Sequence, residues 1–447
     1  MKIEIGIPVL DSADKEKKVS ADLTCTDISA KGAISIKMVD LLPYLTNKVA
    51  VDLFFISTFV YGIDRFIDRY SYSEDGWSRT LEVTFPVYEL KKWQDHKEIL
   101  EQMLSFLTGD YWEVNFKKNT LVFPAAIISP TMNQKFDQVS LFSGGLDSLI
   151  GAIDFLEENP NQKLLVVSHV DPHISARKEQ NSLRNHLMIA YTNRFYALPS
   201  VSAGLSYSNM GKEKTFRSRS LLFISTAVLV ANGNSLPILV PENGTVSLNY
   251  PLSSSRRSAC STRTTHPTFL IYVNKLLTGL GITSQVENIY DLKTKGEMVH
   301  GCRNVSLLKK IYTESISCGK RGHKANWSNM TADQCGVCMP CIYRQASLQS
   351  FPDVTGYGNS LNKKLTGRHH STPFLLSKQG QDFAACLNSL KSKLSNEDIR
   401  NELMINGVIE IDKLDGFVSL VKRSRQELIS WIKMQGDSSV KNKAGIP

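Results

Sequence analysis

The stretch Ser143-Gly144-Gly145-Leu146-Asp147-Ser148, here called the glycine loop, carries the clearest chemical signal in the sequence. It lies between a short apolar run, Gln138–Phe142, and an amphipathic run, so it is predicted to turn a strand into a helix. Glycines let the backbone approach a ligand closely, and the first N–H groups of a helix have no partners within it, which suits an anion such as phosphate. Ser143 and Ser148 add hydroxyl donors. Asp147 is predicted either to cap the helix or to hold Mg²⁺ against phosphates.

The cysteines give the second chemical signal. Three of the eight follow the spacing Cys335-x2-Cys338-x2-Cys341, which in a chain of this length favours a metal site over a disulfide scaffold. A closed tetrahedral zinc site needs a fourth ligand, and the candidates are Cys318, which is favoured, Cys302 and His323. An iron–sulfur cluster would need a further Cys soon after Cys341, and the sequence has none there. A structural Zn²⁺ site is therefore predicted.

The elements around these motifs alternate in type. The predicted strands are Gln138–Phe142, Leu164–Val170, Pro237–Val240 and Gln285–Ile289, and the predicted helices include Phe216–Ala231 and Thr268–Leu280. This alternation predicts an α/β fold with a doubly wound parallel sheet, helices on both faces and a ligand at the carboxyl ends of the strands.

The segments on either side of this alternating region have different secondary-structure patterns, so the chain is predicted to have three domains or regions. Residues 1–130 are predicted as a β-rich accessory domain of mixed α/β type, with strands Ile3–Val9, Ala33–Met38, Val49–Phe55 and Leu81–Val87 and a helix over Asp95–Leu107. Residues 131–350 hold both motifs. Residues 351–447 are predicted as a helical region, with one helix starting near Ser395 and another over Leu414–Met434. The polar segment Ser129–Gln134 is the predicted first boundary.

Composition and charge narrow the function classes. The chain has 447 residues, 42% of them hydrophobic, and a formal net charge of +9, which excludes collagenous and intrinsically disordered classes. Residues 211–325 hold 16 Lys and Arg against 6 Asp and Glu, so the basic excess lies between the two motifs and indicates a pocket for an anionic ligand. Nucleic acid is the less favoured partner. The chain opens on a predicted strand rather than an export signal and has no run of the ~20 apolar residues that span a membrane, so a cytoplasmic protein without membrane attachment is expected.

Taken together, the motifs resemble the QueC family of 7-cyano-7-deazaguanine synthases, which are PP-loop ATP pyrophosphatases. The matching positions are the glycine loop, Arg219 before Leu221-Leu222-Phe223, Lys295-Gly296-Glu297, Cys318, and Cys335 to Cys341 with Arg344. The resemblance extends from about residue 138 to residue 350. With its added flanking regions, the chain is most similar to the QatC family, the QueC-like component of the Qat anti-phage defence system.

The resemblance implies an ATP-dependent ligase. A 7-deazaguanine carboxylate would be adenylated with release of pyrophosphate, and an amine, on a protein partner from a defence operon, would then displace AMP. The implied cofactors are ATP, Mg²⁺ and Zn²⁺. The residues implied by the resemblance are Asp147, Arg219 and Lys295 for catalysis; Phe142, Ser143, Gly144, Gly145, Leu146, Asp147 and Ser148 for ATP; and Cys318, Cys335, Cys338 and Cys341 for the metal. Glu242, Arg263 and His266 are predicted from their residue types to contact the substrate, with Mg²⁺ as the other predicted ligand of Glu242. The alternatives are helix or loop capping for Glu242 and a solvated loop for Arg263 and His266.

Two other functions stay open. A PP-loop tRNA-modifying enzyme would share the adenylation step but needs a pair of catalytic cysteines or a strongly basic RNA module, and Cys25, Cys260, Cys302 and Cys386 form no CxxC pair. A non-catalytic nucleotide-binding scaffold of a defence complex is the other alternative, which the intact glycine loop disfavours. The product also stays open, because Pro241–Gly244 and Thr262–Phe269 differ from the family's usual segments.

Overall fold

A computed structural model of the protein describes residues 1–123, 135–170, 177–207, 213, 215–231, 236–253, 262–360 and 380–447. The predicted boundary Ser129–Gln134 and Cys260 lie outside these residues. The strands are β1 (Lys2–Ile5), β2 (Val9–Leu10), β3 (Lys18–Cys25), β4 (Ala30–Lys37), β5 (Thr80–Val87), β6 (Tyr111–Lys118), β7 (Gln138–Leu141), β8 (Leu164–Val167), β9 (Phe195–Ala197), β10 (Ala203–Tyr207), β11 (Ile238–Leu239) and β12 (Val286–Glu287). The helices are α1 (Lys48–Phe66), α2 (Arg69–Tyr72), α3 (Leu90–Asp95), α4 (Lys97–Thr108), α5 (Leu146–Glu158), α6 (Arg177–Ala190), α7 (Arg219–Ala231), α8 (Gly244–Leu248), α9 (Pro267–Gly279), α10 (Lys295–His300), α11 (Val305–Ile311), α12 (Met339–Ser347), α13 (Gln381–Lys391), α14 (Asn396–Ile405), α15 (Leu414–Gln435) and α16 (Ser438–Ala444).

The central region forms a parallel sheet in the order β12-β11-β7-β8-β9. Strand β8 shows why helices cover both faces, since its side chains alternate between two cores. Leu165 and Val167 belong to the core that includes α7 and α9, whereas Leu164 and Val166 belong to the core that includes α5 and α6. The expected α/β fold with a parallel sheet is therefore confirmed, and the glycine loop leaves the carboxyl end of its middle strand.

The N-terminal residues form a mixed sheet in the order β10-β4-β3-β1-β5-β6, with β2 paired to β3. Strands β1, β5 and β6 are parallel neighbours, and the remaining pairs are antiparallel. The outermost strand, β10, comes from the central region and pairs with β4, Ala203 opposite Ile36. Helix α1 also packs against α7, so one hydrophobic core runs from the mixed sheet to one face of the parallel sheet.

The predicted strand Val49–Phe55 is wrong, because these residues form the start of helix α1. Asn47 caps this helix by accepting hydrogen bonds from the N–H groups of Val49 and Ala50. Every residue from Val49 to Phe66 is buried. A helix enclosed on all sides has an almost continuous apolar sequence, and such a run cannot be told from a buried strand by periodicity.

The C-terminal helices α13 to α16 pack on α12 and α8, beside the predicted metal site. The predicted helix starts and bounds are confirmed here: Ser395 and Asp398 form a capping box at the start of α14, and α15 covers Leu414–Gln435. Among the described residues, no helix combines the length and apolar character needed to cross a bilayer.

Candidate functional site

The glycine loop is held in a conformation that its second residue requires. Gly144 has a φ of +82°, and a Cβ built on it would lie 2.9 Å from Cγ of Gln180. Gln180 in turn donates from Nε2 to the carbonyl of Ser143 at 3.0 Å. A side chain at position 144 would therefore strain the backbone and also displace the residue that supports the loop.

The helix that follows starts without a side-chain cap. Gly145 is the N-cap residue of α5, and no side chain accepts a hydrogen bond from the first turn. Ser143 and Ser148 Oγ lie 3.2 Å apart at the mouth of this turn, where Ser148 donates to the carbonyl of Gly145. Phe142 and Leu146 place their side chains in the core. The loop therefore offers backbone N–H groups and two hydroxyls to an anion.

Asp147 does not cap the helix, so of its two predicted roles the capping role is wrong, and the Mg²⁺ role stays a prediction. Its carboxylate is buried, forms an ion pair with the Lys295 ammonium, and accepts a hydrogen bond from Asn243 Nδ2 at 2.7 Å. Lys295 is the first residue of α10, which Thr294 and Glu297 start with a capping box. Asn243 is itself the N-cap of α8. Three helix starts thus meet around one carboxylate.

Glu242 follows strand β11 and completes a carboxyl pair with Asp147. Burial alone would raise the pKa of Asp147, but Lys295, together with hydrogen bonds from Glu242 and Asn243, lowers it to about 2. Burial and the Asp147 charge raise the pKa of Glu242 well above its usual value. The Lys295 charge therefore favours the ionised form of Asp147, and the Asp147 charge favours the protonated form of Glu242, as expected for two carboxyls beside a single cation. Such an oxygen-rich pair is also the donor set that Mg²⁺ prefers.

A cavity of about 190 Å³ connects the loop with these groups. Its lining includes Ser143, Ser148, Arg219, Glu242, Thr264 and Thr265. Arg219 opens α7, is exposed, and lies 5.7 Å from the centre of the Phe216 ring. The structure thus brings an arginine, two loop hydroxyls and a carboxyl group together at the carboxyl ends of parallel strands.

Arg263 and His266, which the sequence predicts to bind the substrate, both contact Phe106 of α4. Arg263 donates from Nη1 to the carbonyl of Phe106 at 3.1 Å and lies over that ring at 4.2 Å. His266 packs against the same ring and caps α9 by accepting from the N–H of Thr268. Burial, and then the Arg263 charge, lower the pKa of His266 to about 3, so the ring is neutral. Both side chains thereby join α9 to α4, and neither lines the cavity at Ser143.

The four predicted metal ligands come together in one group, here called the cysteine cluster: Cys318, Cys335, Cys338 and Cys341. Their sulfur atoms all lie within 4.8 Å of one another, and those of Cys335 and Cys341 are 3.8 Å apart. Four sulfurs arranged tetrahedrally around Zn²⁺ at ~2.3 Å would be separated by about 3.8 Å. The spacing therefore fits a metal such as zinc. Cys302, a less favoured candidate for the fourth ligand, lies elsewhere, in the core beside α5.

Backbone donors support the same interpretation. Lys320 and Cys335 donate N–H groups to Cys318 Sγ at 3.4 and 3.3 Å, and Val337 and Cys338 donate to Cys335 Sγ at 3.4 and 3.2 Å. These bonds stabilise thiolates, the form that binds a metal. The neighbouring sulfurs of Cys318 and Cys335 raise the pKa of Cys338 well above its usual value, so full ionisation of the cluster needs a bound cation.

A short segment joins the cysteine cluster to the glycine loop. Ile316, two residues before Cys318, donates its N–H to the carbonyl of Gly144 at 2.9 Å. Gln334, next to Cys335, accepts from the N–H of Ser317 at 3.2 Å. Ile316 therefore supports the glycine loop, and the residues on both sides of this support, Cys318 and Gln334, belong to the cysteine cluster or lie next to it.

Sequence reasoning missed two residues of this site. Asn243 stands next to Glu242 in the segment that the prediction singled out, and an Asn before a short helix is itself a capping signal. Gln180 has no such signal, because its role depends on α6 lying against the glycine loop.

No family model, curated protein or solved structure matches the chain.

Proposed function

We propose that the protein is a QueC-like PP-loop ATP pyrophosphatase that joins a 7-deazaguanine carboxylate to an amine. The observation that carries this proposal is the convergence at one cavity of an uncapped helix start, two serine hydroxyls, an arginine and Glu242, whose carboxyl group is coupled to the buried Asp147. The cysteine cluster beside it adds the second half of the sequence resemblance.

The proposed reaction has two steps. A carboxylate oxygen attacks the α-phosphorus of ATP and the bond to the β-phosphate oxygen breaks, which gives an acyl adenylate and pyrophosphate. An amine nitrogen then attacks the acyl carbon and loses a proton as AMP leaves, which gives an amide. Negative charge moves among phosphate oxygens in both steps, so catalysis needs fixed donors and cations more than a nucleophilic side chain.

Each group at the cavity has a role in this scheme. The N–H groups at the start of α5, with Ser143 and Ser148, bind phosphate oxygens. Arg219 is the exposed cation on the cavity wall and is assigned to the transferred phosphate. Asp147 and Glu242 would hold Mg²⁺ through their carboxylate oxygens, with Glu242 losing its proton, and the charge of the ion would offset that of the phosphates. Lys295 favours the ionised form of Asp147. The partner that supplies the amine is assigned to a defence operon on the sequence resemblance alone.

The direct test is formation of AMP and pyrophosphate from ATP. The purified protein would be incubated with ATP and 7-carboxy-7-deazaguanine, with and without proteins encoded by neighbouring genes. The intact mass of those proteins would then be measured. We expect AMP formation that depends on the carboxylate, and a deazaguanine mass added to one partner. Ser143→Ala should abolish AMP formation, whereas Ser206→Ala on the exposed edge strand β10 serves as the matched control.

The outcomes separate the alternatives. AMP formation only with tRNA would favour a tRNA-modifying enzyme. ATP binding without AMP formation under any of these conditions would favour a non-catalytic scaffold. Failure of ATP to bind at all would overturn the assignment of the glycine loop.

A further inference from the structure

A second cavity, of about 210 Å³, lies beside α6, and its lining includes Arg177, Asn181 and Arg184 of that helix. Its walls come from the end of β4, from α6 and from the connection between β9 and β10, so it lies where the mixed sheet meets the parallel-sheet region. The charged lining residues are Glu16, Lys37, Asp40, Arg177 and Arg184. None of these residues belongs to the site described above.

Arg184 is the unusual member of this set. Its side chain belongs to a residue only 6% exposed, yet Nε and Nη2 have no hydrogen-bond partner among the described residues. Its remaining contact is a long one, from Nη1 to Asn181 Oδ1 at 3.4 Å. Nε and Nη2 form one edge of the planar guanidinium, and that edge is the one that binds two oxygens of an anion side by side.

The cost of burying a charged group also favours an anion bound to Arg184. Burying a cation without a partner costs several kcal/mol in proteins, so such groups are normally paired. Lys37 forms an ion pair with Glu16 and leaves Arg184 without that carboxylate. Burial, and then the charge of Arg177, lower the pKa of Arg184 to about 10, so it stays charged at neutral pH while a second cation stands close to it. Two neighbouring guanidinium groups favour a phosphate, which carries a charge of about −1.5 to −2.

We propose that Arg184 and Arg177 form a second oxyanion site, separate from the glycine loop, that binds a phosphate group. At roughly 30 Å³ per water the cavity equals about seven waters, which is room for a phosphate and part of its hydration shell or ester group. Ser200 also lines the cavity and donates to Gln180 Oε1 at 2.8 Å, and Gln180 holds the Ser143 carbonyl. The side chains of Ser200 and Gln180 would therefore connect a bound phosphate with the glycine loop.

The test measures thermal unfolding of the full chain in inorganic phosphate, with sodium chloride at equal ionic strength as the reference. We expect phosphate to raise the melting temperature by about 2 °C or more at saturating concentration. Arg184→Met should lose this rise. Arg184→Lys keeps the charge but not the two-nitrogen edge, and should weaken the apparent phosphate affinity at least about tenfold. Lys178→Met is the matched control, since it removes an exposed cation on α6 that lines a different cavity.

A parallel series in a Gly144→Ala background removes any contribution from phosphate at the glycine loop, so the result does not depend on the proposed function. Retention of the phosphate effect in Gly144→Ala, together with its loss in Arg184→Met, would support the site. A wild-type response in both Arg184 variants, no response of the wild type beyond that to chloride, or an equal response to sodium acetate would overturn a phosphate site at this place.

Discussion

The glycine loop and the cysteine cluster lie at the two ends of one short segment, Ile316 to Cys318, but they differ in what they leave open. Around the glycine loop, the helix start is uncapped and the cavity above it is lined by an arginine and two hydroxyls. In the cysteine cluster, all four sulfurs face one another and three of the four residues are buried. The first arrangement suits a ligand that comes and goes, whereas the second suits an ion that stays.

The two regions also differ in how their charges are balanced. The glycine-loop site contains its own counterion, since Lys295 pairs with Asp147. Among the described residues, no Lys or Arg forms an ion pair with the cysteine cluster: the nearby Lys320 and Lys324 pair with Asp382 and Asp333 instead. We therefore expect the stability of the cluster to depend on a metal, and that of the glycine-loop site on a buried ion pair. The predictions below test this difference, from the largest expected effect to the smallest.

Cys335→Ser should have the largest effect, because it removes a metal ligand that also accepts two backbone hydrogen bonds. We expect loss of about one equivalent of bound metal and a decrease of at least about 5 kcal/mol in the free energy of unfolding. Elemental analysis and chemical denaturation measure the two. Cys386→Ser is the matched control, since Cys386 is buried in the same core but lies outside the cluster. Equal metal content in both variants would contradict the assignment.

Asp147→Asn should destabilise the protein by roughly 3–5 kcal/mol, because it leaves the Lys295 ammonium buried without its counterion. Metal content should not change, which separates this site from the cysteine cluster. For comparison, Asp291→Asn breaks the more exposed pair with Lys413 and should cost less than about 1 kcal/mol. Urea denaturation measures both. Similar decreases in the free energy of unfolding of the two variants would show that the Asp147–Lys295 ion pair contributes no more to stability than an exposed one.

Gly144→Ala should cost about 1–3 kcal/mol and abolish ATP binding while the metal is retained. The cost has two causes, the positive φ and the close contact with Gln180. Gly281→Ala separates them, because Gly281 has a φ of +78° with nothing within 4 Å of the added Cβ. Calorimetric titration with ATP and thermal unfolding measure the effects. If both variants bind ATP as the wild type does, the glycine loop is not the nucleotide site.

The smallest effect at neutral pH concerns His266, which lies outside both regions. Its pKa of about 3 in the folded protein is below the ordinary value of about 6.5, so between these pH values the unfolded chain binds a proton that the folded protein does not. Stability from this group is complete above about pH 6.5 and falls as the pH decreases toward 3, by up to about 1.4 kcal/mol per pH unit. His266→Asn keeps a capping oxygen but removes the titration. We expect a shallower pH dependence of unfolding for the variant between pH 6 and 4; an unchanged slope would contradict the assignment.

Local sequence signals predicted much of the site because each depends on neighbouring residues. The turn from β7 to α5, the cysteine spacing and the capping box at Ser395 all follow from rules that act over a few positions. The prediction failed at Val49–Phe55, where every side chain is buried and the apolar pattern has no period to read.

The sequence by itself determined which residues can bind an anion and which can bind a metal, because glycine, serine and cysteine carry those properties wherever they lie. The tertiary structure alone decided which of them meet. It placed Asn243 and Lys295 on Asp147, directed Arg263 and His266 to Phe106 and added β10 to the N-terminal sheet. It also left Nε and Nη2 of Arg184 without a hydrogen-bond partner among the described residues. These contacts join residues far apart in the chain. They depend on how whole helices and sheets pack, which no local pattern contains.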